Sequence, residues 1–425
     1  MSVLPRIGVA TPEQVADAGA LTAEAYLADR LLDRDDEYEV ELRDAERRAR
    51  EATLLVASVP VDPAAPDGRH AVVGTITLAP YGSSYAEIAE PGELELRMLA
   101  VAPEARGAGV AEALVVAAQR EAVVLGARRV VLSTLDSMRT AQRLYARLGF
   151  TPAAERDWAH EEIRLRVLTW TPPTAPGVLT EMACWPPLRV LTTRGGWRVG
   201  VSQGLTRRAN SAVPLTEPAD LAAAVAEVVA IYAAERQRPV LRLGGSDVDR
   251  RVGELLDAQD WVTASVTDVL VADLHAPVRT EPTAPAPPSL ELAVHHVPDD
   301  AWLETYLGVK SASADREVAR AILAGGTAQH VVARHAGAVV GVIRVAYEGD
   351  WAALSCLAVD PLARRAGIGR ALTLHALALA REHGAARAFL QVEAHNVVAA
   401  RLYARLGFRP ADSYRYREPR VGALG

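Results

Sequence analysis

The peptide Arg-Leu-Tyr-Ala-Arg-Leu-Gly-Phe occurs twice in this chain, at residues 143–150 and 401–408, with Tyr145 and Tyr403 as its third residue. At an identical distance before each tyrosine stands a turn of arginine and small residues. The first reads Arg106-Gly107-Ala108-Gly109-Val110-Ala111 and the second Arg364-Arg365-Ala366-Gly367-Ile368-Gly369. A turn of this composition between a strand and a helix aims free backbone N–H groups and the positive helix end at one point. With an arginine beside it, that point suits a pyrophosphate. Neither GxGxxG nor GxxxxGK[ST] is present at either turn, which excludes Rossmann and P-loop readings.

The elements that position these residues repeat as well. A strand ending in Leu99-Ala100-Val101, or in Leu357-Ala358-Val359, runs into the turn, and a helix rich in Ala, Val and Leu leaves it. A second strand and the tyrosine helix follow. The two stretches align without a gap, 258 residues apart, so the chain carries a duplicated domain.

On the RxxGxG/A turn, the strand before it, the strand after its helix and the Leu-Tyr-x-x-x-Gly-Phe close, the chain resembles the GNAT superfamily of acyl-CoA-dependent N-acyltransferases. The resemblance covers about 1–172 and 290–420. It implies an α/β (α+β) fold of tandem GNAT domains, each a mixed, mostly antiparallel sheet flanked by helices, and acetyl-CoA as cofactor. It further implies direct attack of a neutral amine on the thioester between two splayed strands, where backbone groups of the fourth strand grip pantetheine and one N–H stabilises the oxyanion.

Three roles then need residues. Pyrophosphate binding falls to the turn amides with Arg106, or with Arg364 and Arg365. Thiolate protonation falls to Tyr145 or Tyr403, since a phenol with a pKa near 10 is a competent acid for a thiolate; a ring that merely packs is the alternative. For the base, Glu95 is the candidate in the first copy, because Glu93, Glu95 and Arg97 alternate with Leu94, Leu96 and Met98 along one strand. A solvated strand carboxylate is the equal alternative. The corresponding strand of the second copy, Trp351 to Val359, is apolar, so its base is sought at Glu393 or Glu348. Asn396 stands where the family often uses asparagine against the cofactor, while the first copy has Met138 there, which donates no hydrogen bond. The C-terminal copy is therefore expected to be the surer acetyl-CoA site.

Between the copies, Trp185-Pro186-Pro187, Gly195-Gly196-Trp197 and Thr206-Arg207-Arg208-Ala209-Asn210-Ser211 resemble an actinobacterial acetyltransferase family, some of whose members are called N-acetylglutamate synthases. There a degenerate GNAT-like module precedes the working domain, and the matching span here is about 176–420. The implied organisation is an N-terminal GNAT domain at 1–172, a degenerate middle module at 176–275, a proline-rich tether at 276–289 and a C-terminal GNAT domain at 290–425. The resemblance suggests L-glutamate as acceptor, with Arg207, Arg208 and Asn210 as partners for its carboxylates. A cofactor-sensing protein without turnover and a mycothiol-synthase-like tandem acetyltransferase are the alternatives.

Composition narrows the classes further. Half of the 425 residues are apolar, which is ample for several cores. The net charge is −7 and the basic residues are dispersed, which speaks against a nucleic-acid partner. No window holds eighteen consecutive apolar residues, and Cys184 and Cys356 read as reduced thiols. A cytoplasmic protein without membrane partner is expected, with a small-molecule amine as acceptor and no metal ligands assigned; the acceptor's identity and the oligomeric state stay open.

Overall fold

The computed structural model describes residues 5–32, 37–62, 68–160, 163–276, 287, 289–310 and 315–420. They divide into two compact units, Met1–Pro172 and Pro173–Gly425. The proline-containing stretch 63–67, which reads as a polar turn between two strands, and most of the tether expected at 276–289 lie outside the described residues.

The first unit runs β1 (Arg6–Val9), α1 (Pro12–Ala28), α2 (Glu37–Arg43), α3 (Ala45–Glu51), β2 (Thr53–Pro60), β3 (His70–Pro80), β4 (Glu93–Val101), α4 (Val110–Val124), β5 (Arg129–Leu135), α5 (Arg139–Arg147), β6 (Thr151–Pro152), β7 (Trp158–His160) and β8 (Ile163–Trp170). The strand order is β1-β2-β3-β4-β5-β8-β6, with β7 pairing β8. Only β4 and β5 are parallel, joined by the α4 crossover. Leu114, Val115 and Ala118 of α4 pack on Leu55, Ile76, Leu96 and Leu132 of one sheet face, each large aliphatic side chain stabilising the fold by roughly 1.5–3 kcal/mol. Val15 and Ala18 of α1 and Ala45 of α3 cover Leu54 and Val56 on the other face. The charged amphipathic stretch 37–51 forms two helices and not one. Asp44 caps α3, its carboxylate accepting the Arg47 amide at 3.0 Å, and aspartate favours a helix start over a helix interior.

The second unit opens with α6 (Val178–Cys184), β9 (Arg189–Thr192), β10 (Arg198–Val201), β11 (Ala212–Val213), α7 (Leu221–Ala234), β12 (Leu241–Leu243), α8 (Asp247–Ala258) and β13 (Trp261–Asp273). It continues through β14 (Leu290–His295), α9 (Asp300–Lys310), α10 (Arg316–Ala324), β15 (Thr327–His335), β16 (Ala338–Glu348), β17 (Trp351–Val359), α11 (Ile368–Glu382), β18 (Arg387–Glu393), α12 (Val397–Arg405) and β19 (Arg409–Pro419). All its strands form one sheet, ordered β14-β15-β16-β17-β18-β13-β19-β12-β11-β10-β9.

The segments 176–275 and 290–425, expected as successive modules, are thus interleaved. β13 of the earlier segment lies between β18 and β19 of the later one, antiparallel to both, from Thr267↔Glu393 to Asp273↔Arg387 on one side and from Trp261↔Pro419 to Val271↔Arg409 on the other. In the first unit the place beside β5 belongs to that unit's own β8. The closing strand β19 instead reaches β12.

The earlier segment repeats the crossover topology, with β11 and β12 parallel and α7 between them. It lacks the anion cradle, because α7 starts on Asp220, whose carboxylate accepts the Ala223 amide at 3.0 Å. A carboxylate at a helix N-terminus occupies the place an anion would take. In the other two crossovers, α4 and α11 begin on Gly109 and Gly367 without a side-chain cap.

Candidate active site

In both units the parallel strand pair opens. β4 and β5 pair from Glu93↔Arg129 to Glu95↔Val131 and then part, although β4 continues to Val101. β17 and β18 pair from Trp351↔Arg387 to Leu354↔Leu390 and then part in the same way. At each opening the longer strand carries a bulge, where its register with β3 or β16 shifts. The bulges place Met98 at φ +53° and Cys356 at φ +59°, again 258 residues apart. A non-glycine residue in that region costs on the order of 1–3 kcal/mol and is a feature of sites where backbone is re-aimed. Beyond the bulge, Leu99, Ala100 and Val101, or Leu357, Ala358 and Val359, present an edge with no strand partner toward the opening.

Each strand leads into its turn, where the two units diverge. Gly107 and Gly109 have φ of +74° and +78°, and a Cβ on either would meet nothing within 4 Å. The cradle formed with Ala108, Val110 and Ala111 is therefore open. Its arginine is engaged, however. Arg106 donates from Nη1 and Nη2 to the Asp29 carboxylate at 2.7 and 3.1 Å. Glu112, in the first turn of α4, adds a further negative charge and pairs with Arg147 at 3.0 Å.

In the second unit Arg365 and Gly367 take the left-handed positions, at φ +66° and +76°, and Arg370 stands where the first unit has Glu112. Arg364 donates from Nε to the Val359 carbonyl at 3.3 Å, as Arg106 does to Val101 at 3.4 Å. Among the described residues no carboxylate lies within ion-pairing distance of Arg364, Arg365 or Arg370. Asn396 caps α12, its Oδ1 accepting the Ala399 amide at 3.1 Å, whereas Met138 gives α5 no side-chain cap. Three acid-free arginines, Ala366, Ile368 and Gly369 around an uncapped helix end, and the open strand edge form a donor set that fits the diphosphate and pantetheine of acetyl-CoA.

Tyr145 and Tyr403 are buried on the tyrosine helices, their rings 5.6 and 5.8 Å from Phe150 and Phe408. Burial raises both hydroxyls, Tyr403 to about 12. The same cause pushes the Cys184 thiol up to about 12.

The candidate bases are placed differently from one another. Glu95 is buried, and its Oε2 accepts the amides of Glu87, Ile88 and Ala89 at 2.7, 2.7 and 3.2 Å, fixing the loop before β4. Burial raises its pKa. Its neighbour Glu93 is enclosed by Arg156, Arg129 and Arg128 at 3.0, 3.4 and 3.7 Å. Glu393 is exposed at the end of β18, 3.5 Å from His395, and Glu348 is exposed at the end of β16.

Sequence reasoning missed the far side of the second opening. Arg344 is fully buried and donates to the carbonyls of Leu323, Cys184 and Gly325 at 2.8, 2.8 and 2.7 Å, with no acid partner among the described residues. Its Cζ lies 5.5 Å from the Trp185 ring, and Arg208 lies 4.8 Å from the same ring. Tyr306 and Cys356 adjoin this pair. Of the residues expected to meet the acceptor, Arg208 alone reaches this place. Arg207 pairs with Glu418 at 2.5 Å, and Asn210 is buried, its Oδ1 accepting the Ser202 and Gly204 amides at 2.7 and 3.0 Å to brace its own turn. Ser211 is buried as well. An arginine inside the apolar run of β16 is the one trace of this site in the sequence.

Residues 181–417, more than half of the chain, match the family described as "Probable histone acetyltransferase Rv0428c C-terminal". The chain belongs to this acetyltransferase family. Residues 22–150 match the acetyltransferase (GNAT) family, so GNAT character extends to both units. Among curated proteins the chain is similar to [Ribosomal protein bS18]-alanine N-acetyltransferase of Escherichia coli (strain K12), 41% identical over 70 residues, which are 16% of this chain and 47% of that protein. The chain thus spans about half the length of the curated relatives it matches. Solved structures similar to it include a GCN5-related N-acetyltransferase from Kribbella flavida, 17% identical over 58% of this chain and 95% of that one, with TM-score 0.46. A tandem GNAT protein from the clavulanic acid biosynthesis pathway is 15% identical over 97% of both chains, with TM-score 0.32. Acetyltransferases of this family take the acetyl group from acetyl-CoA. No helix among the described residues is long and apolar enough to cross a membrane.

Proposed function

We propose that the protein is a cytoplasmic acetyl-CoA:amine N-acetyltransferase whose principal site is in the second unit, acting on a small amine with L-glutamate as the leading acceptor. The observation that carries this reading is the acid-free arginine turn of the second unit, set against the Asp29-locked turn of the first. Acetyl-CoA, when bound, supplies an activated acetyl thioester. Arg364, Arg365 and the amides of Gly367–Gly369 hold its phosphates, and Leu357, Ala358 and Val359 align its pantetheine along the open edge. Asn396 adds a side-chain amide near the α12 start. Tyr403 would hold a proton on Oη for the thiolate side of the reaction, and Glu393 remains the candidate base. The corresponding first-unit residues, Arg106 to Ala111 and Leu99 to Val101 with Tyr145 and Glu95, form a weaker cofactor site by the same reasoning.

Glutamate is supported by Arg208, a half-buried guanidinium with no acid partner among the described residues, beside Cys356 and the buried Arg344. An amino-acid carboxylate is the natural counter-charge there. Release of CoA thiol is the test, with L-glutamate and L-glutamine in parallel and Arg208→Ala as control. Glutamate is expected to be used at least about tenfold better than glutamine, with most of that margin lost in Arg208→Ala. Equal use of both, or an unaffected Arg208→Ala, refutes the acceptor. The acceptor named for the Escherichia coli relative is an alanine of a ribosomal protein, so a peptide with N-terminal alanine belongs in the panel; its preferential use would move the acceptor class while keeping the transferase.

A further inference from the structure

The sheet face opposite α11 carries, at the second unit's opening, a polar cluster that none of the roles above employs. Strand alternation puts it there. Leu390 and Val392 of β18 enter the core with α11, while Phe389 packs on the other face with Trp351 and Ala353. Gln391 follows Phe389 onto that face. It is the first residue of β18 beyond the last pair, Leu354↔Leu390, and Ser355 is its counterpart on β17. Gln391 and Ser355 therefore flank the mouth of the opening.

Gln391 is held from behind. Its Nε2 donates to Oε2 of Glu181 on α6, and the same oxygen accepts Nη2 of Arg242 on β12 at 2.6 Å. Glu181 and Arg242 are buried, and the Arg242 guanidinium stacks 3.6 Å above the Tyr414 ring. With its amide nitrogen committed, Gln391 keeps Oε1 free to accept, and Gln391 itself is half exposed. Oε1 of Glu181 and Oγ of Ser355 are buried without a hydrogen-bonded N or O partner, the serine hydroxyl lying against the Cys356 thiol, and Gln391 Oε1 accepts no hydrogen bond among the described residues. Buried polar atoms are satisfied in most folds, so acceptors left open beside one strand opening mark a place where a donor is missing. All three can accept, and only the serine hydroxyl can also donate. The chemistry that completes such a set is a nitrogen bearing protons.

We propose that Gln391 and Ser355 form the amine subsite of the second unit, and that Glu181 and Arg242, both contributed by the segment 176–275, are positioning residues that fix Gln391 with its carbonyl toward the incoming N–H. The inference rests on the acetyltransferase reading and gives the middle segment its role. That segment supplies the buried ion pair that orients the amine, in addition to β13. Gln391 takes up no proton in this role; it aligns the nitrogen lone pair by accepting one of its N–H groups.

The test uses the full chain, with L-glutamate and spermidine as separate amine probes at millimolar concentration. Gln391→Leu keeps the bulk of a half-exposed side chain. It is expected to lower kcat/KM for the amine about tenfold or more, mainly through KM, with acetyl-CoA affinity and Tm unchanged. Glu181→Gln keeps the shape but lets the Gln391 amide turn over. Its loss should be smaller, and absent when added to Gln391→Leu, because both remove one oriented oxygen. Wild-type KM in Gln391→Leu, or fully additive losses, overturns the proposal. If the wild-type chain acetylates neither probe, the transferase reading for these amines fails separately. Calorimetric titration of the same proteins then decides the subsite: probe binding lost in Gln391→Leu sustains it, and binding equal in both proteins or absent from both overturns it.

Discussion

Replacing Arg364 by alanine is the perturbation that most directly separates the two turns. In the second unit the Arg364 Nε rests on the Val359 carbonyl at 3.3 Å, which leaves both Nη groups without an acid partner. A phosphate would gain one or two charge-assisted hydrogen bonds there, each worth about 1.5–3 kcal/mol. Arg364→Ala should therefore weaken acetyl-CoA binding roughly 10- to 100-fold, since about 1.4 kcal/mol is a factor of ten. Arg106 must first give up its two bonds to Asp29, and Glu112 stands in the same helix turn, so its gain from a phosphate is smaller. Arg106→Ala is expected to cost the first-unit site less than about fivefold, while Asp29→Asn should strengthen that site. Isothermal titration of the full chain with acetyl-CoA resolves the two affinities. Equal losses from the two arginine substitutions, or an unchanged Kd in Arg364→Ala, would refute the argument that freedom from a carboxylate partner sets cofactor affinity.

Tyr403→Phe removes the phenolic proton while keeping the ring on Phe408, so turnover should fall about 100-fold with acetyl-CoA affinity nearly intact; normal turnover would assign the ring to packing alone. His330 tests the acid stability of the second unit. Burial beside Trp302 holds its pKa down to about 4 against an ordinary value near 6.5, so the unfolded chain binds a proton across that interval that the folded chain refuses. Its contribution is intact above pH 6.5 and falls by about 3 kcal/mol as pH drops to 4. His330→Gln should flatten that part of the Tm-against-pH curve, and an unchanged slope would place the acid sensitivity elsewhere.

The readability of this chain follows the range of the interactions involved. The strand–turn–helix units around Gly109 and Gly367 are written in consecutive residues, so the turns, β4, β17 and the tyrosine helices stand within a few residues of where pattern places them. The break at Asp44 was hidden by the helical periodicity on both sides of it. β19 is weakly marked in the sequence because Pro410 and the Asp412-Ser413 pair weaken a strand whose burial comes from Tyr414 and Tyr416. The contact of Glu181 with Gln391 spans 210 residues, and no local pattern announces it. The bulges at Met98 and Cys356 were equally silent, since neither is the glycine that a left-handed backbone usually prefers.

The position of β13 between β18 and β19 has a consequence for how the gene product can be divided. A polypeptide beginning at residue 290 would leave the flanks of β18 and β19 bare where Val269 and Val271 now pack, and one ending at 276 would lose the partners of its last strand. Each fragment is thus the missing ligand of the other. Joined in one chain, they meet as an intramolecular pair at millimolar effective concentration; severed between 276 and 287, they would become an obligate two-chain complex whose activity depends on dilution. The two segments of the second unit can consequently be inherited, expressed or transplanted only as a linked pair from 173 onward, whereas the first unit, whose sheet is closed by its own β8, carries no such debt to its neighbour.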